Sequence, residues 1–265
     1  MTKSIFKAVE ILKVLATDLH RLTDISQSLN LNKGTTRRLL DALEKTGLVI
    51  QDSVSHRYYL GNLFLDFASN PEIAHSALVN FAKAEMENLS KLTNETVSLH
   101  IRIGTQRICL EELPSSQVIK FMAGKGNSAP IYTGAAGKIL LQALPEGELA
   151  ILLENIKLVP FGPNTITDKT KLKKELKMVK KQGYALSFSE RVPESAAVAA
   201  LISNYIIPVA LSVIGPEKRI FSKMDLIKLE LIASAARVSK KLEGLYQKRT
   251  IPKQEYRDNF PALLT

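Results

Sequence analysis

The stretch LNLNKGTTRRLLDAL, residues 29–43, constrains this chain more than any other. Asn32 can cap a helix over 33–46, and Gly47 can close it. At about 100° per residue, Thr36, Leu39, Leu40 and Leu43 share one side, while Gly34, Arg38, Asp41 and Lys45 centre on the other. Upstream, SIFKAVEILKVLA sets Ile5, Val9, Leu12, Leu15 and Ala16 on one helical stripe. LTDISQSLN reads as a short second helix, with Thr23 as N-cap and Ile25 and Leu29 inward. Downstream, LVIQDSVSHRYYLG reads as two strands, 48–51 and 57–60, around a polar turn. Helix, helix, tight turn, helix and hairpin in that order predict a winged helix-turn-helix.

The chemistry of the third helix points to double-stranded DNA. A helix needing only solubility would favour Ala, Glu and Lys in its first turns. This one begins Lys33, Gly34, Thr35, Thr36, Arg37, Arg38. Gly34 permits close backbone approach, and the hydroxyls and guanidinium groups suit base edges and phosphates. The helix N-terminus adds partial positive charge towards phosphate. His56 and Arg57 would sit at or near the wing tip, able to reach backbone or minor groove. An arginine pair on a helix is commonly a solvated face; the ordered set of elements carries the specificity.

Composition sets outer limits. The chain has 265 residues and is 45% hydrophobic, enough for one large or two modest cores. No apolar run approaches the roughly 18 residues of a membrane span, and the N-terminus lacks the pattern of a secretory signal. The single cysteine, Cys109, excludes an internal disulfide and fits a reducing cytoplasm. The net charge of +10 is concentrated late: residues 166–265 carry 19 Lys/Arg against 10 Asp/Glu. Much of that lies in DKTKLKKELKMVKKQG, where Leu172, Leu176 and Val179 fall at helical spacing and the lysines form a solvated face.

The remainder reads as a second, α/β domain. Residues 61–76 predict a helix broken near Asn70–Pro71. VNFAKAEMENLSKLTN is an amphipathic helix. ETVSLHIRIGTQRICLEELP alternates at period two around a Gly104–Thr105 turn, which pairs Ile103 with Gln106, Ile101 with Ile108 and His100 with Cys109. A cysteine beside a histidine could be nucleophile and base, and its plainer reading is a packed thiol beside a strand histidine. Two residues fall short of a zinc set, so no metal and no cofactor are expected. In MAGKGNSAPIYTGAAGKILLQAL, Gly124 and Gly126 make a loop, Ile131 re-enters the fold, and Thr133 can cap a helix beginning at Gly134, Ala135 and Ala136. Small residues at a helix start offer amide donors to an anion, or simply allow close helix–sheet packing. The glycine spacing is not that of a phosphate-binding P-loop.

Together these segments resemble the IclR family of bacterial transcriptional regulators. SIFKAVEILKVL is similar to the family's opening helix, LNKGTTRRLLDALEKTGLV to its recognition helix, and RYYLG to the end of its wing. APIYTGAAGKILLQALP is similar to its pocket loop and following helix, TITDKTKLKKELKMVKKQGYALSFSE to the segment leading to a Gly-Tyr-Ala and a Glu, and ALSVIGP to a late strand. The resemblance implies an α+β chain: a winged helix-turn-helix over 1–67, a linker helix over 68–78, a GAF-like α/β effector-binding domain over 79–248 and a tail over 249–265. It implies operator DNA, a small-molecule effector and self-association to a dimer or tetramer as partners. Repression is favoured over activation, with an enzyme or a ligand-independent architectural DNA binder as the rival readings. By family analogy Ser187, Phe188, Ala197 and Ser212 join the loop and helix start in lining the effector cavity. The expected effector is an organic acid, its carboxylate at the helix start and an aromatic body against Phe188. The chain departs from the family at Gly34, where a Ser is usual. It departs again around Ser187–Phe188, where an acidic residue is common, and at Glu194, Ala197 and Leu201.

Overall fold

The computed structural model describes residues 2–246, which fall into two compact units divided between Ala74 and His75. The tail expected over 249–265 lies outside the described residues.

The first unit builds three helices and a hairpin around one small core. Helices α1 (Thr2–Leu15), α2 (Leu22–Ser28) and α3 (Lys33–Lys45) enclose Ile11, Val14, Leu15, Ile25, Leu40 and Leu43. Strands β1 (Val49–Gln51) and β2 (Tyr58–Leu60) pair antiparallel and add Val49 and Tyr58 to it. Asn32 caps α3 by accepting the Thr35 N–H at 2.7 Å, and Gly47 follows with a φ of +75°, a conformation that a side chain would strain. Helix α2 begins two residues earlier than its expected Thr23 cap implies. Arg21 is its N-cap, and the Thr23 hydroxyl donates to the neighbouring Asp24 carboxylate instead of capping an amide. The N–H of Tyr58 donates to His20 O at 2.8 Å, so the wing is tied to the loop between α1 and α2. Helices α4 (Leu63–Ser69) and α5 (Pro71–Ala74) follow, separated at Asn70.

The second unit is a six-stranded antiparallel sheet covered on both faces. Its strands are β3 (Thr96–Ile103), β4 (Gln106–Leu113), β5 (Ser128–Pro130), β6 (Tyr184–Phe188), β7 (Ser195–Ile202) and β8 (Val209–Pro216), in the order β5-β4-β3-β8-β7-β6. The hairpin β3–β4 has the register expected from its turn: Ile103 faces Gln106, Ile101 faces Ile108, and His100 faces Cys109. An irregularity between Leu99 and His100 then shifts the pairing, so that Leu99 faces Glu111.

Strand alternation sorts the side chains into two cores. On one face Val97, Leu99, Val198, Leu211 and Val213 pack with α6 (Ser76–Thr93), α10 (Glu217–Ser222) and α11 (Met224–Tyr246) through Met86, Ile220, Leu231 and Val238. On the other face Ala185, Ala199 and Ala210 pack with α7 (Gly134–Gln142), α8 (Glu146–Asn155) and α9 (Lys169–Gln182). The small strand residues let α7 lie close to the sheet. A Cβ at Gly137 would come within 2.0 Å of Ile131 O, so that approach requires glycine. Helix α9 buries Leu172, Leu176 and Val179 as its spacing predicts, with Asp168 capping it through the Lys171 N–H at 2.6 Å.

Candidate nucleic-acid interface and cavity site

In the first unit, one face of α3 is left free by the core. Lys33, Gly34, Arg37 and Arg38 are exposed and Thr35 is half-buried. Arg37 is held along the helix by Asp41 at 2.9 Å, whereas Arg38 makes no ion pair among the described residues. Thr36 is a correction to the sequence reading. It is fully buried, and its hydroxyl donates back to Asn32 O at 3.1 Å. Its place on the leucine side decides the matter, and it cannot present a hydroxyl to DNA. His56 and Arg57 are exposed on the wing. Asp52 shapes that turn. Its carboxylate accepts the N–H groups of Val54 and Ser55 at 3.1 and 3.2 Å and the Ser55 hydroxyl, which together hold its carboxyl below the usual value. Val54, 87% exposed, stands out at the tip of this otherwise polar turn.

In the second unit, a cavity of about 80 Å³ opens between the sheet and the start of α7. Of the residues proposed from sequence, Gly134, Ala135, Ala136, Ser187, Ala197 and Ser212 line it. Gly124, Gly126, Ile131 and Phe188 lie off its wall. Ser187 and Phe188 are adjacent on one strand and so point to opposite faces. Phe188 belongs to the other core and stacks on Phe221, with ring centroids 4.9 Å apart and planes 3° from parallel. An aromatic body resting on Phe188 therefore has no place in this cavity.

The helix start also differs from expectation. Thr133 does not cap α7; its hydroxyl donates to Pro130 O at 2.8 Å. The Gly134 N–H is already taken by the Glu190 carboxylate at 2.9 Å. The amide that was to receive an anion has been supplied with one by the chain itself.

The cationic groups come from elsewhere. Arg107, on β4, is 7% exposed and reaches beneath the start of α7. It donates from Nη1 to His100 Nδ1 at 3.1 Å, while its buried Nε has no hydrogen-bond partner. Burial, and then the nearby Arg191, lower its guanidinium to about 10, so it remains a cation at neutral pH. Burial first, then Arg107 and Arg191, push His100 well below its ordinary value and keep it neutral. An arginine can only donate, so His100 Nδ1 must accept, and its proton lies on Nε2. Nε2 donates to Ser98 Oγ at 2.9 Å, and Ser98 Oγ lies 2.9 Å from Ser212 Oγ. The Ser98 and Ser212 hydroxyls continue the hydrogen-bond chain from His100 to the cavity wall. The wall thus presents donors and cations.

The two buried carboxylates beside the cavity are both engaged. Glu190 holds Lys138 Nζ at 2.5 Å as well as the Gly134 N–H. Glu112 accepts the N–H groups of Ala123 and Gly124 at 2.6 and 3.0 Å and so pins residues 121–124 over the opening, where Phe121 and Met122 line it. Sequence reasoning missed Arg107 and Arg191. The signal for Arg107 was present: the paired register puts Arg102 and Arg107 on the same strand face as His100 and Cys109.

Cys109 and His100 face each other across strands but do not bond. Cys109 Sγ–H donates to Glu111 O at 3.4 Å, and burial, first among the causes, pushes the thiol up to about 12. A thiol in that state is a poor nucleophile. Among the described residues no group of three or more His, Cys, Asp or Glu side chains is placed to hold a metal ion, and no helix is long and apolar enough to cross a membrane.

Comparison with known proteins agrees with both units. Residues 4–53 match the IclR helix-turn-helix domain, and residues 72–240 match the bacterial transcriptional regulator IclR C-terminal domain. The chain belongs to the IclR family. This IclR-family chain is 30% identical to the HTH-type transcriptional regulator KipR of Bacillus subtilis over 82% of its own length and 87% of that protein. It is 29% identical to the HTH-type transcriptional repressor AllR of Escherichia coli K12, over 82% and 80% of the two chains. The crystal structure of the Thermotoga maritima IclR superposes with a TM-score of 0.62 at 25% identity, covering 92% of this chain and all of that one. The chain is accordingly an HTH-type, DNA-binding transcriptional regulator, with a winged helix-turn-helix unit and an IclR-type α/β unit.

Proposed function

We propose that this IclR-family regulator is a cytoplasmic repressor whose grip on operator DNA is set by a small organic acid bound in the cavity of its second unit. Lys33, Gly34, Thr35, Arg37 and Arg38 read the major groove and its phosphates, and His56 and Arg57 follow the flanking backbone. A single winged module contacts few phosphates, so useful affinity calls for a homodimer or tetramer that reads half-sites about 34 Å apart or a multiple of that. Sedimentation of the full chain tests that association. The protein acts by binding rather than by turnover, in keeping with the names of its relatives.

One observation carries the acid reading: Arg107 lines the cavity, and its buried Nε has no hydrogen-bond partner. An unpaired buried donor on a cation is costly, and a carboxylate removes that cost. Ligand binding to the native state alone raises stability by RT ln(1 + [L]/Kd), about 2.7 kcal/mol at a hundredfold excess. The test is a thermal-melting panel of organic acids and neutral sugars with the full chain at fixed ionic strength, followed by operator binding with each hit. The expected result is stabilisation by acids and a changed operator affinity in their presence. Stabilisation by neutral sugars alone would refute the acid reading.

A further inference from the structure

We propose that the cavity takes a short dicarboxylate, one carboxylate on Arg107 and the other on Arg191. This rests on the reading of the cavity as an acid effector site and narrows it by charge and length.

Among the described residues, two cations and no free carboxylate face the space. Arg107 enters from β4 and Arg191 from the turn between β6 and β7, so the two guanidinium groups reach the cavity from separate elements. Neither makes an ion pair with a carboxylate among the described residues. Glu190 is committed to Lys138 and the Gly134 amide, and Glu112 to the amides of Ala123 and Gly124. His100 is neutral. A monoanion would neutralise one guanidinium and leave the other facing a poorly solvated space. A dianion satisfies both, and the planar fork of arginine matches a carboxylate better than a point charge does. Entry of the two arginines from separate elements favours two acidic groups over a single phosphoryl group.

The volume limits the length of the ligand. A cavity of about 80 Å³ holds about two or three waters at roughly 30 Å³ each. A space of that size favours the shortest diacids, such as malonate or succinate, over longer ones.

The test is calorimetric titration of the full chain at constant ionic strength with malonate, succinate, their monomethyl esters, propionate, benzoate and glycerol 2-phosphate. A diacid should bind at least tenfold more tightly than its own monomethyl ester, a comparison that needs no variant. Arg191→Gln, checked for fold by circular dichroism, should bring the diacid down to the level of the ester, and Arg107→Gln should abolish binding of both. Equal affinity for a diacid and its ester would overturn the dicarboxylate while leaving the acid effector standing. Tighter binding of glycerol 2-phosphate than of every diacid would overturn it in favour of one phosphoryl group. Failure of every acid on the panel would overturn the dicarboxylate and the acid reading together.

Discussion

Glu190 holds two partners at once: one carboxylate oxygen lies 2.5 Å from Lys138 Nζ, and the other accepts the Gly134 N–H at 2.9 Å. Lys138 in turn donates to Glu175 at 3.1 Å and to Leu186 O at 2.7 Å. The cluster ties the first turns of α7 to β6 and α9, and so sets the wall of the cavity. Removing one member of a buried pair leaves the other charged and alone, at about 3–5 kcal/mol. Lys138→Met and Glu190→Gln should each lower unfolding stability by an amount in that range or somewhat below it, since Glu190 keeps its amide. The double variant should be less destabilised than the sum of the two. Urea unfolding of the three proteins checks this, and strict additivity would show that the two groups do not depend on each other.

Arg38 is exposed on the free face of α3 and makes no ion pair among the described residues. Arg38→Ala should leave the melting temperature nearly unchanged and weaken operator binding. A lost base contact costs about 1–3 kcal/mol and relaxes specificity at one position. A lost phosphate contact weakens all sequences alike and lowers the salt slope by about one. Fluorescence anisotropy over a salt series distinguishes the two, and unaltered binding in every salt would remove Arg38 from the interface.

Thr36 lies one position from Thr35 and Arg37, yet it belongs to the core. Thr36→Val should keep operator affinity within about twofold. It should cost stability of the order of one hydrogen bond, about 0.5–1.5 kcal/mol, because the bond to Asn32 O is lost. A large loss of DNA affinity in a protein of normal stability would return Thr36 to the interface.

Cys109 should resist thiol reagents. Its thiol is raised by burial to about 12, so almost none is thiolate at pH 8. An acid whose folded pKa is raised adds stability that is complete below its unfolded value, here 9.0, and is lost as pH climbs towards about 12. Native protein at pH 8 should therefore label slowly, and urea should release rapid labelling. Fast labelling of the folded protein would mean that the strand face opens readily.

The first unit was legible in its elements, because local signals specify them, but not in the phase of α1: Ile5 and Val9 of the expected stripe are exposed, and Ile11 and Val14 are buried with Leu15 instead. The Asn32 cap, the Gly47 stop, the leucine stripe and the polar turn of the wing each act within a few residues. The second unit was legible in its elements and in the β3–β4 register, which the two-residue turn fixes. The cavity was half legible. Ser187, Ala197 and Ser212 came from family likeness, and the strand period should have excluded Phe188 once Ser187 was placed inward. Arg107 and Arg191 were missed because their meaning depends on what lies opposite. A strand arginine reads as solvated until packing by α7 closes over it, and the engagement of Glu190 with Lys138 is a contact across 52 residues that no local pattern announces.

The most direct test of the account is operator binding by the full chain and by Arg107→Gln, each titrated with the acid that most stabilises the wild-type protein. The account predicts equal operator affinity for the two proteins without acid, and a response to acid in the wild type that is absent from Arg107→Gln. An Arg107→Gln protein that is folded, binds operator and responds to the acid at wild-type concentrations would contradict it.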